Sequence, residues 1–220
     1  MPTVDLSGTQ QRALELLRAA RILPVVTVDS VDQACAIAAA LCEGGLRAIE
    51  LTLRTPCALE ALARLKREFP DLIVGAGTVL DATQVAEANV AGADFIVTPG
   101  TTPDLLEALA ASPVPSVPGA ASASELMVLA ARGFRVAKLF PAMAIGGLGM
   151  IKALQGPLPG LALCPTGGIG EADAADFLAQ RNVACLGGSW MVAKAWVDAG
   201  DFASVQATAA RARAIIDAAG

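Results

Sequence analysis

Short apolar runs alternate with amphipathic, alanine-rich helical patterns at a period of roughly 20–25 residues, and that alternation leaves few folds open. The runs fall at 22–28, 47–53, 72–78, 94–98, 115–118, 134–140, 161–164 and 183–186. Helical patterns lie between them at 31–43, 57–68, 82–91, 102–111, 122–132, 147–155, 171–180 and 189–198. A leading helix at 9–20 and a closing one at 202–218 complete the pattern. Runs that are apolar on both faces predict a parallel sheet sandwiched by helices. Eight strand–helix units match the number that closes a barrel, so the sequence predicts a single-domain (β/α)8 TIM barrel over 1–220 with an N-terminal helix. An open doubly wound sheet would want a Gly-x-Gly-x-x-Gly turn after the first strand. The stretch Pro24-Val25-Val26-Thr27-Val28-Asp29 has none.

Composition removes whole classes of chemistry. The chain has no histidine and no tyrosine, which excludes Ser-His-Asp triads, His-assisted cysteines and His-liganded zinc together. Proton transfer must fall to Asp, Glu, Lys, Cys or water, and a metal-free mechanism is favoured. The net charge of −5 comes without any Lys/Arg cluster, which argues against nucleic-acid and anionic-membrane partners. Although 55% of residues are hydrophobic, the longest uncharged stretch, 153–170, holds three prolines and five glycines and cannot be a spanning helix. No basic region followed by an apolar core opens the chain, so a cytoplasmic location is expected. The five cysteines, at 35, 42, 57, 164 and 185, form no Cys-x-x-Cys pair and read as reduced, mostly buried thiols. Met127, Met143, Met150 and Met191 read as gap fillers.

In a barrel the chemistry sits at the C-terminal strand ends. The sixth strand places Lys138 late in an apolar run. Burying an ammonium without a partner is costly; one release is to give up the charge, and a neutral amine attacks carbonyl carbon to form an imine. A structural ion pair or a stem reaching the rim explains the same residue. On the second strand Glu50, Thr52 and Arg54 are spaced two apart and share one face. That spacing puts a carboxylate deep and a guanidinium near the mouth. Glu50 is then the natural proton-transfer group and Arg54 suits a bidentate hold on a carboxylate; a structural pair inside the barrel is the alternative.

Strand 7 ends Thr166-Gly167-Gly168 and strand 8 ends Gly187-Gly188-Ser189-Trp190. Adjacent glycines let backbone N–H groups approach an anion, and these two loops form the common phosphate site of such barrels. Tight turns alone can also demand glycine. Strand 3 ends Gly75-Ala76-Gly77-Thr78, leaving room for a ligand and one hydroxyl to bind it.

With these residues in place, the chain resembles the 2-keto-3-deoxy-6-phosphogluconate (KDPG) aldolases, a family that includes 4-hydroxy-2-oxoglutarate (KHG) aldolases. The segments that carry the resemblance are 50–57, 74–80, 138–142, 164–169 and 186–190, in family order across about residues 20–200. The resemblance implies a homotrimer of (β/α)8 barrels without metal or organic cofactor. It implies Lys138 as Schiff-base lysine, Glu50 as proton carrier, and Arg54 and Thr78 as ligands of a pyruvyl group beside Phe140. It further implies Thr166, Gly167, Gly168, Gly188 and Ser189 as ligands of a sugar phosphate. The reaction implied is cleavage of 2-dehydro-3-deoxy-6-phosphogluconate to pyruvate and glyceraldehyde 3-phosphate. The chain departs from the family pattern at Ala137 and Leu139, where aromatics are common, and at Met143, where glutamate is usual. Those departures leave imine chemistry intact and bear on the aldehyde end. The alternatives are the same chemistry on 4-hydroxy-2-oxoglutarate or the galactonate epimer, oxaloacetate decarboxylation, a non-covalent phosphate-barrel isomerase, and a non-catalytic sugar-phosphate binder.

Overall fold

A computed structural model describes residues 6–219. Strands and helices alternate along it: α1 (Leu6–Ala20), β1 (Ile22–Val26), α2 (Val31–Glu43), β2 (Ala48–Thr52), α3 (Ala58–Glu68), β3 (Ile73–Gly77), α4 (Ala82–Val90), β4 (Phe95–Val97) and α5 (Pro103–Ala111). Then follow β5 (Ser116–Val117), β6 (Gly119–Ala120), α6 (Ala123–Ala131), β7 (Val136–Leu139), α7 (Gly147–Leu154), β8 (Ala162–Pro165), α8 (Ala174–Leu178), β9 (Leu186–Gly188), α9 (Lys194–Ala199) and α10 (Phe202–Ala219). The helix starts are written in the sequence. Ser30, Asp81 and Thr102 each accept a hydrogen bond from the backbone N–H three residues on, and Ser122 with Glu125 forms a reciprocal capping box.

The strands form a curled parallel sheet in two parts, ordered β5-β4-β3-β2-β1-β9 and β6-β7-β8. Apolar side chains divide between its two faces according to the period of two. Ile49 and Leu51 of β2, with Ala137 and Leu139 of β7, join the helices in the larger cluster. Ala48, Phe95, Val97, Val136 and Cys164 fill the concave face, where Ala13, Leu14 and Leu17 of α1 pack against them. No helix is long and apolar enough to cross a membrane among the described residues.

Several sequence expectations need correction. The fifth strand is two short pieces, because Pro118 has no N–H to give a ladder. The Gly119 N–H instead donates to Thr98 Oγ1 at 2.8 Å. The last strand lies at 186–188 rather than 183–186: Gly187 and Gly188, read as loop, pair with Leu23 and Pro24. The helix expected over 171–180 begins as a 3₁₀ turn at Glu171–Asp173, and the one over 189–198 is broken at Ala193 (φ −54°, ψ 130°) after a 3₁₀ turn at Trp190–Val192. Finally, Met127 and Met143 are 59% and 43% exposed, so they fill no gap, whereas Met191 is buried.

All five cysteines are free, but only Cys164 and Cys185 are buried. Burial, with neighbouring Cys164 second, pushes the Cys185 thiol well above its ordinary range, so it acts as an inert apolar group. Replacing Ser122 by Ala removes one half of the α6 capping box and should cost about 1 kcal/mol. Urea denaturation checks this; an unchanged midpoint would show that the cap contributes nothing.

Candidate active site

The site starts from two strands far apart in sequence. On β2 the concave face carries Ala48, Glu50 and Thr52; on β7 it carries Val136 and Lys138. The lower pair is apolar, and the charged residues lie one step nearer the C-terminal ends. Lys138 Nζ donates to Glu50 Oε1 at 2.9 Å across 88 residues of sequence. The two side chains are 6% and 1% exposed. Strand β3 makes room for this pair. A Cβ on Gly77 would stand 2.5 Å from both Glu50 Cγ and Oε1, and one on Gly75 would collide with the Phe95 ring. The small residues of strand 3 therefore serve the neighbouring side chains directly.

Above the pair, the Phe140 ring centroid lies 5.5 Å from Lys138 Nζ. Thr52, fully buried, shares a 2.7 Å hydrogen bond with Thr27. Arg54 is exposed, and its Nε donates to Thr78 Oγ1 at 3.2 Å. Its terminal amino groups donate to no other protein group among the described residues, which leaves the fork of the guanidinium open. Thr78 holds a left-handed backbone conformation (φ 57°), uncommon for a β-branched residue. Strained backbone of this kind concentrates at functional sites.

A cleft of about 720 Å³ opens over these residues. Arg54, Phe140, Thr166, Gly167, Gly168, Gly188 and Ser189 all line it. Lys138, Glu50 and Thr78 are not among its lining residues; Phe140 beside Lys138, and Arg54 bonded to Thr78, connect them to it. Seven of the ten sequence-predicted residues thus line one cleft, and the other three join it through those contacts. Gly167 and Gly168 need glycine for their backbone, at φ +102° and +80°. Gly187 and Gly188 need it for space, since side chains there would strike Thr166 and the Trp190 ring.

The sequence reading missed Thr27, Asp29, Trp190 and Lys194, which also line the cleft. The alternation argument applied to strand 2 would have found Thr27 on strand 1. Nothing local marks Lys194. The Trp190 Nε1 is buried and has no hydrogen-bond partner among the described residues. Among the described residues, no group of three or more Cys, Asp and Glu could hold a metal ion.

Comparison with known proteins gives the family. The family model "KDPG and KHG aldolase" matches residues 14–208. The 2-dehydro-3-deoxy-phosphogluconate aldolase of Pseudomonas aeruginosa is 51% identical over 191 residues, 87% of each chain. The chain belongs to the KDPG and KHG aldolase family. The KHG/KDPG aldolase of Escherichia coli K12 is 43% identical over 86% of this chain and 89% of its own. Among family structures, the KDPG aldolase of Legionella pneumophila superposes with a TM-score of 0.87 at 39% identity, covering 90% of this chain and 96% of that one. That crystal holds pyruvate captured at low pH as a covalent carbinolamine intermediate.

The buried pair gives a stability prediction for this family member. Lys138→Met leaves Glu50 without its partner and should cost about 3–5 kcal/mol, whereas Lys138→Met with Glu50→Leu should recover most of the loss. Chemical denaturation of the three proteins measures it. Equal losses in the single and double variants would mean that the charges are not coupled.

Proposed function

We propose that the curled sheet closes into a (β/α)8 barrel forming one domain, and that its C-terminal mouth is the active site of a class I aldolase. Two single-residue bridges, Leu163 to Val183 and Thr166 to Gly187, support closure between β8 and β9. Continuity of β5 and β6 through Pro118 supports it on the other side. The enzyme cleaves 2-dehydro-3-deoxy-6-phosphogluconate to pyruvate and glyceraldehyde 3-phosphate. The observation that carries this reading is an amine held 2.9 Å from a carboxylate, both nearly out of reach of water, with the amine beside Phe140 of a cleft that Arg54 and the glycine loops also line.

The chemistry follows from that arrangement. Glu50 takes a proton from Lys138 Nζ, and the freed amine adds to the C2 carbonyl of the substrate. The carbinolamine hydroxyl takes that proton back from Glu50 and leaves as water, so a protonated imine remains and Glu50 is again a carboxylate. A protonated imine is an electron sink. Glu50, through a water, removes the C4 hydroxyl proton; the C3–C4 bond breaks, its electrons form the enamine, and glyceraldehyde 3-phosphate departs. Glu50 returns the proton to C3, and hydrolysis of the imine releases pyruvate and the amine. Arg54, steadied by Thr78, holds the carboxylate through its open fork, and Phe140 packs beside the pyruvyl group. Thr166, Gly167, Gly168, Gly188 and Ser189 receive the phosphate.

A second reading keeps the lysine and changes the substrate to 4-hydroxy-2-oxoglutarate, and the double name of the Escherichia coli relative favours testing it. Assembly as a homotrimer in the cytoplasm belongs to the same proposal, supported by family membership. Met127 and Val128, apolar and more than half exposed on α6, fit a contact between copies.

Incubation with pyruvate and borohydride, followed by peptide mapping, should find a reduced pyruvyl adduct on Lys138. No adduct on folded protein would overturn the imine mechanism in favour of a non-covalent phosphate-binding enzyme. Glu50→Gln should slow turnover by roughly 10²–10⁴-fold while adduct formation persists. Loss of the adduct to the same degree would refute that division of roles.

A further inference from the structure

The glycine loops offer a phosphate only neutral donors: backbone N–H groups and the hydroxyls of Thr166 and Ser189. A phosphate monoester carries about −1.5 to −2 charge near neutral pH, and the substrate adds a carboxylate. The cleft lining holds four charged residues, Arg54, Lys194, Asp29 and Asp198. Arg54 is tied to Thr78 and is taken up by the carboxylate. Lys194 is therefore the cation left for the phosphate, and without it two aspartates would line the cleft that a dianion must enter.

We propose that Lys194 binds the substrate phosphate at the outer edge of the cleft and sets this chain's preference for phosphorylated over unphosphorylated 2-oxo acids. The inference rests on the aldolase reading above and names a residue outside the motifs that led to it. Lys194 is the first residue of α9 and shares the cleft lining with Gly167, Gly168, Gly188 and Ser189. Its side chain is 79% exposed and donates to Asp198 Oδ1 at 2.8 Å. That hydrogen bond first, then the charges of Asp198 and Asp29, pushes the ammonium pKa up, so Lys194 enters the exchange charged. An exposed pair four residues apart on a helix is weak, and the flexible lysine stem lets the ammonium leave it. The phosphate offers more charge and three acceptor oxygens in exchange. Asp198 then serves as a parking partner that keeps the lysine at the cleft between turnovers.

The test compares kcat/KM for 2-dehydro-3-deoxy-6-phosphogluconate with kcat/KM for 4-hydroxy-2-oxoglutarate in the wild-type protein, Lys194→Met and Lys194→Arg. Lys194→Met should lower that ratio roughly tenfold, mostly through KM for the phosphorylated substrate. Lys194→Arg should keep most of the ratio, because a cation remains. The wild-type KM for the phosphorylated substrate should also rise more steeply with salt than that of Lys194→Met. A strong wild-type preference that Lys194→Met leaves within about twofold would overturn the proposal while sparing the phosphate loops. No phosphate preference in the wild type would overturn both, yet a pyruvyl adduct on Lys138 would still uphold the lysine chemistry.

Discussion

A lysine and a glutamate, 2.9 Å apart and almost out of reach of water, set the terms for everything around them. Removing two charges from solvent is expensive, and their mutual attraction repays it only with good geometry. That geometry needs β2 and β7 brought face to face across the concave side of the sheet, although they belong to its two different parts. It also needs apolar neighbours, such as Cys164 in register with Lys138, and a clear space beside Glu50, which Gly77 supplies. Apolar residues in place of the pair would hold the fold nearly as firmly. The pair is thus better explained by the proposed proton traffic than by stability.

The glycines show how closely the rest is fitted to this centre. Gly75 yields to Phe95, Gly187 to Thr166 and Gly188 to Trp190, while Gly167 and Gly168 turn the backbone through positive φ. Only the last two act through conformation; the others act through the absence of a side chain. Sequence cannot separate those causes, because both are written as glycine. The cleft's charges are similarly divided: the inner pair is buried and coupled, whereas Lys194 and Asp198 sit in solvent, where an ion pair is easily exchanged.

Much of the fold was legible because periodicity is local. The helical patterns over 31–43 and 82–91 anticipated α2 and α4, and Glu50, Thr52 and Arg54 announced a polar face. The misreadings share one cause. Gly187 and Gly188 were read as an anion-binding loop because adjacent glycines suit one, yet in the folded chain they pair with Leu23 and Pro24 as part of a strand. The helix over 189–198 was read from composition, but the Trp190 ring folds back over Gly188 and the chain then extends at Ala193. Met127 and Met143 were taken for core from residue type alone.

By itself, the sequence determined the alternation of strands and helices, which side of the second strand faces inward, and the order in which Glu50, Lys138 and the glycine loops arrive. Only the tertiary structure decided that residues 50 and 138 touch, that Arg54 leans on Thr78, and that Lys194 reaches the same cleft as the glycines. The reason is one of range. Side-chain direction follows from backbone geometry over a few residues, whereas the distance between two strands depends on how every intervening strand twists and pairs.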